Sequence, residues 1–306
     1  MKKFILFLVF LGVSSSVFAE KPKGLIAAAC GNGNSKQINI FSPDGGHRKT
    51  LTKFKNTFSP NWSPDGKQIV FVGFQENTEI YLVSAKGGKD KQLTRNGSTN
   101  ITPVFSPDGK TIIYASSLTR DAELYQINVS DGSNSRLLTR TPGIDLSPSF
   151  SPDGSKIVFA SERSGNLHLF SMSARGGGAS RLTYVGLQND QPDISPDGKW
   201  IAFATREREA FNIFTMKRDG SIIRRISNQE GGGESPTWSP DGRFLAFATP
   251  EGIVILPMEE GGIKNNITYG SCATSGAALP LTSTRELSAT LIPHTKGCVN
   301  PDWGSQ

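Results

Sequence analysis

Few residues in this 306-residue chain have the types and spacing to do chemistry. His47, His168 and His294 stand far apart, and none has metal-pair spacing to another His or to a Cys. Glu207 and Glu209 flank Arg208 as an acid/base pair would, but they fall in a loop between two strands and read as solvated. No Gly-x-Ser-x-Gly pentapeptide supplies a nucleophile elbow, and no glycine cluster lies between a strand and a helix to cradle phosphate. Ser-Pro-Asp-Gly recurs at Ser63, Ser106, Ser151, Ser195 and Ser239. Each copy offers one carboxylate where calcium takes about six to eight oxygens, so the tetrapeptide reads as a turn. The expectation is a chain with no catalytic residue, no metal and no cofactor, whose function is binding.

These turns belong to a repeat. The copies are spaced by 43, 45, 44 and 44 residues, the length of a four-stranded propeller blade. In each unit Pro presets φ, Asp tolerates the next turn position, and Gly accepts positive φ. A short strand ending in Trp62, Phe105, Phe150, Ile194 or Trp238 precedes the turn, and a β-rich run such as Ile69-Val70-Phe71-Val72 follows it. A third strand alternates with period two, and a short fourth ends in Leu93-Thr94, Leu138-Thr139, Leu182-Thr183 or Ile226-Ser227. Ser42-Pro43-Asp44-Gly45 is out of phase and aligns with the turn between strands three and four. The N-terminal unit therefore lacks a first strand. Asn300-Pro301-Asp302-Trp303 matches Ser59-Pro60-Asn61-Trp62 and supplies it. With Ile267-Thr268 as the sixth last strand, the fold is all-β: a six-bladed β-propeller closed by a C-terminal strand completing the N-terminal blade.

Lys2 and Lys3, the apolar run Phe4 to Leu11 and the small residues ending at Ala19 read as a signal peptide, 1–19, cleaved on export to the periplasm. The propeller then spans 20–306, with an extra segment, 269–298, before the closing strand. The net charge of +6 comes from Lys and Arg scattered over turns. That pattern reads as a solvated surface, with no nucleic-acid partner and membrane association only through partners. Cys30, Cys272 and Cys298 are an odd set for an oxidising compartment. In register with the other units, Cys30 takes the place of Val72 and Cys298 that of Thr57, facing each other across one hairpin. A Cys30–Cys298 bond is expected, with Cys272–Cys298 and three free thiols as the alternatives.

The blades resemble those of the TolB family, periplasmic components of the Tol–Pal system. The likeness rests on the five Ser-Pro-Asp-Gly turns, the Leu-Thr strand ends and Ser59-Pro60-Asn61-Trp62-Ser63-Pro64-Asp65-Gly66, over about residues 25–268 and 299–303. It implies a non-enzymatic scaffold whose channel mouth binds Pal, the peptidoglycan-associated lipoprotein. TolB proteins carry an α/β domain before the propeller, where Glu20 to Gly24 stand here, so the family's TolA contact is not carried over. The residues leading into each first strand recur around one mouth. Those expected to bind a partner are Asn100, Asp145, Asn189, Asp190, Glu234 and Asn300. Two other functions fit such a ring: a glycan- or small-ligand-binding propeller, and an accessory propeller of a separate hydrolase.

Overall fold

The computed structural model describes residues 22–207, 209–227, 232–258, 268–269 and 290–304. The expected signal peptide and Cys272 lie outside these residues. Six antiparallel sheets stand around a common axis. Numbered along the chain, blade 1 consists of Cys298–Gly304 (innermost), Leu25–Cys30, Gln37–Phe41 and Lys49–Thr50. The innermost strands of blades 2 to 6 are Thr57–Trp62, Asn100–Phe105, Asp145–Phe150, Gln188–Ile194 and Glu234–Trp238. The chain thus closes as its sequence pattern implies, with Ile26 opposite Trp303 and Cys30 opposite Cys298. Cys30 and Cys298 are joined by a disulfide.

One strand differs from expectation. The fourth strand of blade 6 is Thr290–Leu291, paired with Val254 and Ile255. Thr268–Tyr269 instead adds a fifth strand to the outer edge of blade 5, against Ile223–Arg225. A two-residue Leu-Thr-like signal marks a short outer strand without saying which sheet edge it joins.

Second strands are buried on both faces because each blade is sandwiched between two others. Ile69, Val70, Phe71 and Val72 have no exposed surface, and Ile201 to Ala204 likewise. Directly opposed aromatic pairs fill these interfaces: Phe71 stacks on Tyr81 with centroids 5.7 Å apart, and Phe159–Phe170 and Phe203–Phe214 lie at 6.3 and 6.0 Å.

The Ser-Pro-Asp-Gly turn closes by four hydrogen bonds that explain its composition. At Ser63, the Gly66 amide donates to the Ser63 carbonyl (2.9 Å), and the Gln68 amide donates to Ser63 Oγ (2.9 Å). Ser63 Oγ then donates to Asp65 Oδ1 (2.7 Å), which also accepts the Lys67 amide (3.0 Å). The Ser63 hydroxyl, then the Lys67 amide, hold the Asp65 carboxyl down at about 2. The strand-end hydroxyls have an equally local task. Thr52, Thr94, Thr139, Thr183 and Ser227 each accept a third-strand amide through the side-chain oxygen, those of Ile38, Ile80, Leu124, Leu169 and Ile213.

Candidate functional site

Every innermost strand carries Pro, which cannot donate to a ladder and is tolerated in a sheet at bulges. The register slips there in all six blades, between Phe58 and Asn61, Ile101 and Val104, and at the equivalent places. The residue before each Pro is left-handed: Ser59 (φ 47), Thr102 (50), Ser147 (51), Gln191 (54), Ser235 (52) and Asn300 (50). A non-glycine residue held so costs about 1 kcal/mol or more, and here the cost recurs six times at one level of the ring. Its effect is to turn those side chains out of the sheets and into the axial channel, a cavity of about 500 Å3. They bridge neighbouring blades. The Ser147 amide donates to Thr102 Oγ1 (3.1 Å), the Ser235 amide to Gln191 Oε1 (2.8 Å), and Asn300 Nδ2 to Ser235 Oγ (3.0 Å).

In every blade but the third, where it is Val104, the residue after Pro is polar and joins a second belt. Asn61 Oδ1 accepts the Phe105 amide (2.8 Å), Ser149 Oγ that of Ile194 (3.2 Å), and Asp193 Oδ2 that of Trp238 (2.9 Å). Thr237 Oγ1 accepts the Trp303 amide (3.3 Å), and Asp302 Oδ2 accepts that of Trp62 (2.6 Å). Each bond joins one blade to the next, and the Asp302 bond crosses from the C-terminal strand of blade 1 to blade 2. Enclosure in the channel raises the Asp193 carboxyl to about 6. The same burial, with the Asp193 charge added, raises Asp302 to about 7. The belt residues were not among the expected site residues, although Asn61, Ser149, Asp193, Thr237 and Asp302 share one repeat position and break an otherwise apolar pattern.

The six residues expected at the mouth divide into two groups. Asp190, Glu234 and Asn300 are together where blades 5, 6 and 1 meet. Asp190 and Asn300 line the channel, and Glu234 is exposed. Asp190 accepts the Gln191 amide (2.6 Å), and burial, then the nearby Glu234 charge, raises its carboxyl. Asn100, Asp145 and Asn189 are not on the mouth; all three are fully buried. They precede the bulge, where inner-strand side chains still point sideways into a blade interface. Asn100 Nδ2 donates to Glu79 Oε2 (2.9 Å), and Asn189 Nδ2 contacts His168 Nδ1 (3.0 Å) while Asn189 Oδ1 accepts Thr205 Oγ1 (3.0 Å). Asp145 pairs with Arg163 (2.8 Å), whose guanidinium stacks on Phe159 and Phe170. Burial, then the Arg181 charge, lowers His168 to about 4, so it is neutral in this knot at neutral pH.

The face around this mouth also exposes large apolar side chains. Phe74 and Leu118 end second strands there, and Tyr184 and Leu187 lie in the loop from blade 4 to blade 5. Arg181 covers the Tyr184 ring at 4.5 Å.

A closed ring of six antiparallel blades around a polar channel with an apolar-rimmed mouth defines the class: a six-bladed β-propeller. The sequence profile of the TolB beta propeller domain matches residues 24–267, and the chain belongs to that family. It is 32% identical over 154 residues to the Tol-Pal system protein TolB of Bordetella pertussis, covering 35% of each chain. The chain thus spans about a third of the length of the curated relatives it matches. The crystal structure of TolB from Acinetobacter baumannii superposes with a TM-score of 0.74 at 25% identity, over 92% of this chain and 67% of that one. An uncharacterized peptidase, YuxL of Bacillus subtilis, is 29% identical over 125 residues, 28% of this chain and 19% of that protein.

Proposed function

We propose that this chain is a non-catalytic protein-binding scaffold, exported to the periplasm, that holds a Pal-like lipoprotein on its channel mouth. The observation that carries the proposal is the composition of that mouth. Asp190, Gln191, Glu234 and Asn300 give a polar centre, and Phe74, Leu118, Tyr184 and Leu187 an exposed apolar surround. Polar groups that fix register within apolar area are the make-up of a protein interface. Family membership and the match to a Tol-Pal system protein support the partner class. A catalytic role finds little support in the channel, because Asp193 and Asp302 already accept backbone amides as structural links. The match to a peptidase favours a second reading, an accessory propeller of a hydrolase.

Calorimetric titration with a soluble Pal-like domain tests the proposal. The double substitution Asp190→Ala, Glu234→Ala should weaken binding by about 2 kcal/mol or more, as loss of a hot spot does. Unchanged affinity with an unchanged melting temperature overturns the site. Absence of binding by the wild type overturns the partner.

A further inference from the structure

Along the sequence the basic residues look dispersed over turns, and the topology regroups them. In a four-stranded meander, the turns from strand one to two and from strand three to four leave the sheet at the same end. The six blades stand side by side in one orientation, so all these turns share one face, opposite the mouth. Adjacent turns touch: a Cβ on Gly154 would lie 3.7 Å from Pro107 of the preceding blade, and one on Gly198 would lie 3.6 Å from Pro152.

Charge on this face is layered. Its aspartates are exposed but short and hydrogen-bonded within their own turns, and Asp65, Asp197 and Asp241 also pair with Lys67, Lys199 and Arg243. Asp65, Asp108, Asp153, Asp197 and Asp241 each accept the serine hydroxyl of their own turn. Asp131 and Asp219 cap their turns by accepting the amides of Ser133 and Ser221. The lysines and arginines are long and exposed. Lys86 and Lys89 on blade 2, Lys156 on blade 4, and Lys217 and Arg218 on blade 5 all extend into solvent. A groove between blades 4 and 5 gathers Lys156, Lys199, Lys217 and Arg218 beside Trp200, with Asp197 and Asp219 also in its lining. On the mouth face the two signs come near balance.

We propose that the turn face is a cationic disk that lies directly on an anionic membrane surface. A single small anion is a poor fit, because it would meet only the groove, where Asp197 and Asp219 stand among the cations, and would leave Lys86 and Lys89 on blade 2 unmet. A broad planar array of phosphate headgroups meets many of them at once, and each lysine near such a surface adds attraction. The chain then rests with its turns on lipid and its mouth turned to its partner.

Sedimentation with vesicles of phosphatidylglycerol and phosphatidylcholine, against phosphatidylcholine alone, tests this at about 0.1 M and about 0.5 M salt. Binding is expected to the anionic vesicles only, and to disappear at the higher salt. Lys86→Glu, Lys89→Glu, Lys156→Glu and Lys217→Glu together should weaken it at least about a hundredfold, at about fivefold or more per lysine. Lys55→Glu, Arg95→Glu, Arg120→Glu and Arg140→Glu on the mouth face change net charge equally and should leave most of the binding. If the first variant melts early, the pair Lys86→Glu, Lys156→Glu replaces it. Equal losses in the two variants, equal binding to neutral vesicles, or capture by heparin without vesicle binding each overturn the proposal.

Discussion

At the scale of single residues, the two channel aspartates combine structural and titratable behaviour. Asp193 and Asp302 link blades through the Trp238 and Trp62 amides, while their carboxyls sit at about 6 and about 7. An unfolded Asp titrates near about 3.9. The folded state therefore binds more protons between these values, and the stabilisation is greatest on the acid side and lost as pH rises through 6 to 7. Chemical denaturation from pH 4 to pH 8 should show the wild type losing about 6 kcal/mol relative to Asp193→Asn, Asp302→Asn. The asparagines keep an acceptor for each amide, so parallel pH profiles would refute the account. Asp65 and Asp153 run the other way, since their carboxyls are held at about 2 by the hydroxyls of Ser63 and Ser151. Their contribution is present above the unfolded value and lost as pH falls towards 2.

At the scale of elements, the closing strand concentrates the ring's dependence on its two chain ends. Trp303 is buried, its indole donates to the Lys23 carbonyl (2.7 Å), and its amide joins the belt. Trp303→Ala should cost about 3–5 kcal/mol in a denaturant titration. Cys298→Ser removes a cross-link of sequence separation 268. It should cost about 4–5 kcal/mol on the chain-entropy estimate, and an unchanged midpoint would refute the clasp. The closing strand was legible because Asn300-Pro301-Asp302-Trp303 repeats a motif seen intact in blade 2. The position of Asn100, Asp145 and Asn189 was not. Repeat phase places them all at the start of an inner strand, but side-chain direction there depends on the bulge that follows. A positive φ at Ser59 or Thr102 has no signature in residue type, since Ser and Thr seldom adopt it. The outer strand Thr290–Leu291 was hidden for a related reason: two residues are too short for periodicity to mark.

At the scale of the whole molecule, the ring sorts its chemistry onto two faces. Turns made rigid by serine and aspartate stand on one, and the polar mouth with its apolar surround on the other. A propeller closed in this way has little scope to change shape, so partner binding should proceed without large rearrangement. The central claim, that the mouth face is the partner-binding face, is tested most directly by amide hydrogen exchange with and without a soluble Pal-like domain. Protection should appear near Phe74, Leu118, Tyr184 to Gln191 and Glu234 to Ser235, with the turns at Ser63, Ser106, Ser151, Ser195 and Ser239 unchanged. Protection confined to those turns, with the mouth unaffected, would contradict it.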